Sequence, residues 1–338
     1  MSRISIASVG LSLAAVALAA QAPAASAQSY VLSDRIAIGD GGFDYASFDP
    51  VHRRLYLSRV GGVLAMDVDT KTVTEHLTDA QRTHESLPLD GGKTLLITDS
   101  GSNTARLVDA LSGKAITEVP TGKKPDAAIF DPASGLALAM NGASGDVTLI
   151  DPATQKAVGT IAVGGALEFA AADGAGKVFV NIEDKGEIAV LDTKTRAVTG
   201  HYALKGCEEP SGLAYAPGAG VLISACGNQV AKVLNASTGE EVATLAIGKG
   251  PDAVIYDDAR KLAFIPCGRD GVLEVIAVRG PHDVAIVQTV KTQPGARTGA
   301  VDGKTGKVYL PTAAYTLSPT GRPAATPGTY AILVVSPS

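Results

Sequence analysis

Short apolar stretches alternate with turns rich in Gly, Pro, Asn and Asp along most of the chain. Residues 127–130, 136–140, 147–150 and 157–163 show one unit of this pattern, with four stretches of four to seven mostly apolar residues. Stretches of this length between turn residues are typical of β-strands. Residues 28–338 show no sustained helical periodicity, so the pattern predicts an all-β protein.

The four-strand unit repeats at a nearly constant interval. An Asp follows the first strand of each unit except the fifth, which has Ala, and these positions are 41 to 45 residues apart. They are Asp49, Asp90, Asp131, Asp173, Ala216, Asp257 and Asp302. A second series opens the turn before the last strand and consists of Asp67, Asp109, Asp151, Asp192 and Asn235. Seven four-stranded units of this length predict a seven-bladed β-propeller.

The two ends of the repeat predict a closed ring. Residues 30–38 precede the first unit and have the pattern of a fourth strand without a blade of its own. The last unit has three strands, at 298–301, 308–310 and 330–335, and lacks a fourth. We expect the N-terminal strand to complete this last blade, which removes an exposed sheet edge. Within the unit, residues 315–329 contain three Pro and two Gly, which predicts an irregular loop.

The N-terminus indicates export. Arg3 is followed by a mostly apolar run over residues 4–20 and by Ala25-Ser26-Ala27, the pattern of a cleaved signal peptide. We therefore predict a signal peptide over residues 1–27 and a single propeller domain over 28–338, located in the periplasm or secreted. The alternative is an uncleaved anchor, but the run is shorter than the ~20 residues that span a bilayer. The mature chain has no later segment apolar enough to cross a membrane.

Composition narrows the class of partner. The net charge is −5, aromatic residues make up 4% of the chain and Trp is absent. A protein without a basic surface or many stacking side chains is a poor match for nucleic acid. We therefore expect the partner to be a small molecule or a protein of the cell envelope.

Polar residues occupy one equivalent position at the start of each first strand. Because these strands line the central channel of a propeller, we expect the residues five positions before each repeat Asp to form a ring at one mouth of the channel. They are Asp44, Glu85, Asp126, Glu168, Ser211, Asp252 and Arg297. His84 lies beside this ring and adds a nitrogen ligand or a proton-transfer group. Carboxylates held together need a compensating charge, from Arg297 or from a bound cation. The pattern thus predicts an acidic ligand-binding site for a small molecule, a cation or a partner protein.

Three functions remain open for this site. Hard oxygen ligands suit Ca²⁺ or Mg²⁺, and the candidate metal ligands are Glu85, Asp126, Asn141 and Asn181. A metal there would suit a hydrolase of the lactonase type, with metal-bound water as nucleophile. His84, Glu85 and Arg297 are candidate catalytic residues for this hydrolase or for a propeller lyase. The sequence carries no zinc-protease, nucleophile-elbow or phosphate-loop motif, so a binding or interaction protein is the leading hypothesis. The alternative to any binding site is that these carboxylates only fix turns or remain solvated.

Three cysteines lie in the mature chain, at positions 207, 226 and 267. Export permits a disulfide, and an odd number leaves one thiol over. Cys207 precedes the first strand of unit five and Cys226 ends the second, so both belong at the channel mouth and their pairing is our prediction. The alternatives are a Cys226–Cys267 bridge between neighbouring blades and three buried thiols.

Six stretches of the chain resemble one known family. They are residues 124–127 with 130–132, 180–184, 207–214, 250–253, 295–298 and 308–313. These stretches are similar to the exported YncE-like proteins, also called YVTN-repeat β-propellers, and the resemblance covers residues 30–338. It implies a seven-bladed propeller of the bacterial cell envelope with a binding or interaction role.

Overall fold

The computed structural model describes residue 1, residues 29–317 and residues 323–338. The predicted signal peptide, apart from Met1, lies outside the described residues. The described chain forms seven four-stranded antiparallel sheets and one two-stranded hairpin. This arrangement confirms the all-β, seven-bladed propeller.

The first strand in the chain, β1 (Tyr30–Ala37), stands before blade one. Blade one consists of β2 (Phe43–Asp49), β3 (Arg54–Arg59), β4 (Gly62–Asp67) and β5 (Val73–Asp79). Blade two consists of β6 (Thr83–Leu89), β7 (Thr94–Asp99), β8 (Thr104–Asp109) and β9 (Ala115–Pro120). Blade three consists of β10 (Pro125–Asp131), β11 (Leu136–Asn141), β12 (Asp146–Asp151) and β13 (Lys156–Ala162).

Blade four consists of β14 (Leu167–Ala172), β15 (Lys177–Ile182), β16 (Glu187–Asp192) and β17 (Ala197–Ala203), with a 3₁₀ turn at Glu183–Lys185. Blade five consists of β18 (Pro210–Ala216), β19 (Val221–Cys226), β20 (Val230–Asn235) and β21 (Glu241–Ala246). Blade six consists of β22 (Ile255–Asp257), β23 (Leu262–Cys267), β24 (Val272–Gly280) and β25 (Asp283–Lys291). The remaining strands are β26 (Ala300–Val301), β27 (Val308–Thr312), β28 (Tyr315–Leu317), β29 (Pro323–Ala325) and β30 (Ala331–Pro337).

Blade seven closes the ring as predicted. Its sheet has the order β1-β30-β27-β26, and β1 pairs with β30 from Tyr30↔Pro337 to Ala37↔Ala331. An ion pair of 2.8 Å between Arg53 and Asp302 links blade one to blade seven. The N-terminal strand therefore completes the last blade and leaves no gap in the ring.

Apolar side chains fill the junctions between the blades. Seven clusters of buried apolar residues occur among the described residues, each concentrated between two neighbouring blades. Between blades five and six, for example, Ile223, Val233 and Ile265 are completely buried. Each such side chain contributes about 1.5–3 kcal/mol relative to its exposed state. The core is thus a ring of seven interfaces around the channel.

The repeating Asp residues fix the turns. Oδ1 of Asp67, for example, accepts hydrogen bonds from the backbone N–H groups of Asp69 and Thr70, at 3.0 and 2.7 Å. The same pattern occurs at Asp131, Asp151, Asp257 and Asn235. Such side-chain bonds to the backbone two or three residues on hold the chain in a turn. They explain why this residue type repeats with the blades.

The insert of blade seven differs from the expectation. Residues 315–329 were expected to form an irregular loop, but β28 and β29 pair within them, with Tyr315 opposite Ala325 and Leu317 opposite Pro323. Pro323 ends this short pairing, a position where a missing N–H is tolerated. The insert is therefore partly a hairpin.

Candidate functional site

The inner strands of the blades place the candidate residues through a shared irregularity. In blades one to five the pairing with the second strand shifts between the first and the fourth residue of the inner strand, as between Phe43 and Ala46 in β2. A bulge of this kind re-aims side chains away from the regular alternation of a strand. In these five blades, the second residue of the inner strand is Asp44, His84, Asp126, Glu168 or Ser211. Asp252 follows Pro251, which bridges to Cys267 in blade six, and Arg297 of blade seven bonds to Asp252. These seven residues are the structural ring.

This ring corrects the sequence-based alignment at one position. We expected Glu85 in the ring, but Thr83 pairs with Asp99 as Phe43 pairs with Arg59, so His84 is the equivalent of Asp44. The reason is that β6 ends at Leu89, and Asp90 belongs to the turn with a positive φ of 52°. The repeat Asp of blade two is thus displaced by one residue. Glu85 lies one residue further along the strand.

Asp44, His84 and Asp126 lie together at the mouth. His84 Nδ1 is 2.7 Å from Asp44 Oδ2 and 3.4 Å from Asp126 Oδ1, and its Nε2 is 2.9 Å from Ser100 Oγ. One ligand atom from each of the three residues can be chosen so that all lie within 4.8 Å of one another. Burial disfavours the imidazolium form, but the two carboxylates outweigh it and raise the pKa of His84.

The rest of the ring carries two further carboxylates and one guanidinium. Arg297 Nε donates to Asp252 Oδ2 at 2.7 Å, and Arg297 Nη2 is 3.8 Å from Asp44 Oδ1. Burial, only partly offset by Arg297, raises the pKa of Asp252 to about 6. Burial and the negative charges of Asp126 and Glu183 raise the pKa of Glu168 to about 8. The ring therefore contains more negative charge than its own cations neutralise.

Lys124 is a further cation at the mouth that the sequence did not single out. Its Nζ is 3.3 Å from Asp126 Oδ2, yet burial still raises the pKa of Asp126 above its usual range. Lys124 has a positive φ of 54° immediately before β10. The sequence shows a Lys directly before a Pro-Asp pair, but the direction of the Lys124 side chain depends on this backbone conformation.

One residue beyond the ring positions, two inner strands carry aromatic side chains that lie close together. The rings of Tyr45 and Phe169, from blades one and four, lie 5.1 Å apart between their centroids. Glu85 occupies the corresponding strand position in β6, is 4% exposed, and accepts a hydrogen bond from the N–H of Ser86 at 2.8 Å. Burial raises the pKa of Glu85 to about 8. Glu85 is thus a buried acidic group directly after His84 on β6.

Three other candidates are engaged in contacts between or within blades. Asn181 Nδ2 donates to the carbonyl of Ser211 at 2.9 Å, and Asn181 Oδ1 accepts from Ser224. Asn141 Nδ2 donates to Asp146 Oδ1 at 2.6 Å within blade three. Ser211 Oγ donates to the carbonyl of Pro251 at 3.3 Å. The structure therefore groups Asp126 with Asp44 and His84. The side chains of Asn181 and Asn141 instead form hydrogen bonds between and within blades.

The predicted disulfide is present. Cys207 and Cys226 are bonded, with an S–S distance of 2.03 Å, and Cys267 is a buried free thiol. The bond joins the segment before β18 to the end of β19, at the channel-mouth end of blade five. A disulfide is compatible with an exported protein.

No helix in the described ranges is long and apolar enough to cross a membrane.

Comparisons with known proteins show the fold alone. No family model matches the chain, and no curated protein matches it. Among solved structures, hydrazine synthase of Kuenenia stuttgartiensis is similar with a TM-score of 0.70 and 14% identity, over 86% of this chain and 97% of that one. A chain of a mitotic checkpoint complex is similar with a TM-score of 0.73 and 13% identity, over 97% of this chain and 98% of that one. These likenesses agree with a seven-bladed propeller.

Proposed function

We propose that this protein is an exported binding protein of the YncE-like type that holds a cation at the acidic mouth of its channel. Cleavage after residue 27 would place the propeller of residues 28–338 in the periplasm or outside the cell. The ligand-binding residues are those of the ring, with His84 in the position of blade two and Glu85 next to it in the chain. The cation is coordinated by Asp44, His84 and Asp126.

The observation that carries this proposal is the close approach of three potential ligand atoms in a mostly buried place. Asp126 is 6% exposed and His84 is 5% exposed. A buried carboxylate is costly unless it is paired or coordinates a metal. Lys124 and His84 pair with Asp126, but the carboxylates of Asp44 and Asp252 add negative charge nearby. A bound cation would neutralise this excess.

The donor set favours a transition metal over the Ca²⁺ or Mg²⁺ expected from carboxylates alone. One imidazole nitrogen and two carboxylate oxygens suit Zn²⁺ or Mn²⁺, whereas Ca²⁺ and Mg²⁺ prefer oxygen ligands only. Three protein ligands also leave positions for water or for a second ligand.

Calorimetric titration of the metal-free protein with Zn²⁺, Mn²⁺, Ca²⁺ and Mg²⁺ tests the proposal. We expect one Zn²⁺ or Mn²⁺ per chain and a loss of affinity of at least about tenfold in Asp126→Asn. Asp258→Asn is the matched control, because Asp258 is an exposed carboxylate paired with Lys261. Absence of binding of all four ions, or equal affinity in Asp126→Asn, would rule the site out.

A metal-assisted hydrolase of the lactonase type is our second proposal, because the same three ligands would leave open positions at the metal. A bound metal would polarise a carbonyl there, and Arg297 is near enough to Asp44 to contact the substrate. A panel of lactones and esters, assayed with and without Zn²⁺, tests it. Metal-dependent turnover that is lost in His84→Asn would favour this function over binding alone.

A further inference from the structure

A pocket between blades six and seven opens beside the acidic mouth. Its volume is about 510 Å³, and nothing described above assigns it a ligand. The side chains that line it are those of Pro251, Asp252, Arg269, Pro294, Arg297 and Tyr315. Of these, Asp252 and Arg297 belong to the ring, so the pocket is continuous with the mouth.

Two arginines line this pocket, and their guanidinium groups have donors to spare. Arg269 is exposed, and its guanidinium makes no hydrogen bond or salt bridge to residues 29–317 or 323–338. Arg297 uses Nε for Asp252, and its terminal N–H groups donate no hydrogen bond to the described residues, although Nη2 is 3.8 Å from Asp44 Oδ1. Two cations against one carboxylate give the pocket a net charge of about +1 at neutral pH. This is the opposite sign to the rest of the mouth.

The walls between these charges are apolar. Pro251 and Pro294 offer ring faces, and the ring of Tyr315 packs over Gly295. A Cβ at Gly295 would clash with the Tyr315 ring, and Gly295 has a positive φ of 100°. Any other residue there would push Tyr315 away. The backbone thus makes room for an aromatic wall next to the guanidinium groups.

We propose that this pocket binds a small organic monocarboxylate, with the carboxylate between Arg269 and Arg297 and the apolar body against Tyr315 and the prolines. The planar fork of Arg matches the two oxygens of a carboxylate. A single negative charge balances the pocket, whereas a phosphate dianion would exceed its charge and face Asp252. The site lies beyond the proposed cation site and does not require it.

Calorimetry with 3-phenylpropionate and its uncharged amide, 3-phenylpropanamide, tests this inference. We expect the acid to bind at least tenfold more tightly than the amide. Arg269→Gln should weaken binding of the acid about tenfold, since it removes a charged hydrogen-bond donor. Arg269→Lys should fall between the two, because it keeps the charge without the fork. Thermal melts check that each variant is folded.

The matched control is Arg279→Gln, an exposed Arg of blade six that pairs with Asp283. Its affinity for 3-phenylpropionate should equal that of the wild type. Equal binding of acid and amide, an unchanged Arg269→Gln, or no binding of the acid would each overturn the inference. If the wild type binds Zn²⁺ but not 3-phenylpropionate, only this inference is overturned. If it binds 3-phenylpropionate but not Zn²⁺, only the proposed cation site is overturned.

Discussion

Glu168 shows how single side chains set the charge of the mouth. It follows the first residue of β14, where the bulge turns it toward the channel, and the charges of Asp126, Glu183 and Asp252 all act on it. Burial and these charges together hold its proton up to a pKa of about 8. A carboxyl with such a pKa is mostly protonated at pH 7 in the folded protein, and the folded state loses stability at pH values where the unfolded chain ionises this group.

Glu168→Gln should stabilise the protein in alkaline solution. The unfolded chain releases the proton of Glu168 near pH 4.5, while the folded chain keeps it until about pH 8. Stability from this group is therefore complete below pH 4.5 and is lost as the pH rises to 8. Gln does not ionise, so we expect a gain of up to about 4 kcal/mol at pH 8 and little difference at pH 4.

Urea unfolding at pH 4, 6 and 8 measures this effect. Glu240→Gln, at an exposed turn of blade five, should show no pH-dependent gain. A destabilised Glu168→Gln at pH 8, or a gain that does not depend on pH, would mean that the carboxyl of Glu168 is not held neutral by its neighbours.

The sequence predicts turn residues better than site residues at this scale. The repeat Asp residues act on backbone two or three positions away, so their role follows from local spacing. Blade two breaks the rule, because Leu89-Asp90-Gly91-Gly92 places the Asp in a left-handed conformation after the strand has ended. That conformation moves the ring position from Glu85 to His84.

At the scale of strands, the inner bulges decide which side chains face the channel. In a regular strand, side chains would alternate between the two faces of the blade along the whole inner strand. The shift between the first and fourth residues, as in Pro125 to Ala128 of β10, breaks that alternation at the mouth. A bulge depends on the partner strand, so the repeat pattern of one strand does not reveal it.

The disulfide acts between two strands, since it links the segment before β18 to the end of β19. Cys207→Ala with Cys226→Ala should lower the free energy of unfolding by about 2–4 kcal/mol, because the closed loop restricts the unfolded chain. Dithiothreitol should lower the melting temperature of the wild type and leave the double variant unchanged. If the double variant has the same melting temperature as the oxidised wild type, the disulfide contributes nothing to stability.

Over the whole molecule, the number of blades and the closure followed from the repeat, because each blade is a local unit of about 40 residues. The arrangement of side chains at the channel mouth could not be predicted from the repeat in the same detail. Asp44, His84 and Asp126 come from three blades, and Arg269 and Tyr315 line one pocket between two more. Their distances depend on how the blades pack, and that information is spread over all seven apolar interfaces.

Ring geometry also links the two proposed sites through Arg297. Its Nη2 is 3.8 Å from Asp44 at the cation site, and its side chain lines the carboxylate pocket. A carboxylate beside Arg297 would offset the positive charge that opposes a cation at Asp44. Binding of either ligand should therefore favour the other, and by the same factor.

We expect saturating 3-phenylpropionate to raise the affinity for Zn²⁺ by about three- to tenfold, and Zn²⁺ to raise the affinity for the acid equally. The amide should have no effect, because it carries no charge. Arg297→Gln should abolish the coupling even where both ligands still bind. Calorimetric titration of each ligand in the presence of the other gives both factors. Equal Zn²⁺ affinity with and without the acid, while the acid is bound, would show that Arg297 does not connect the sites.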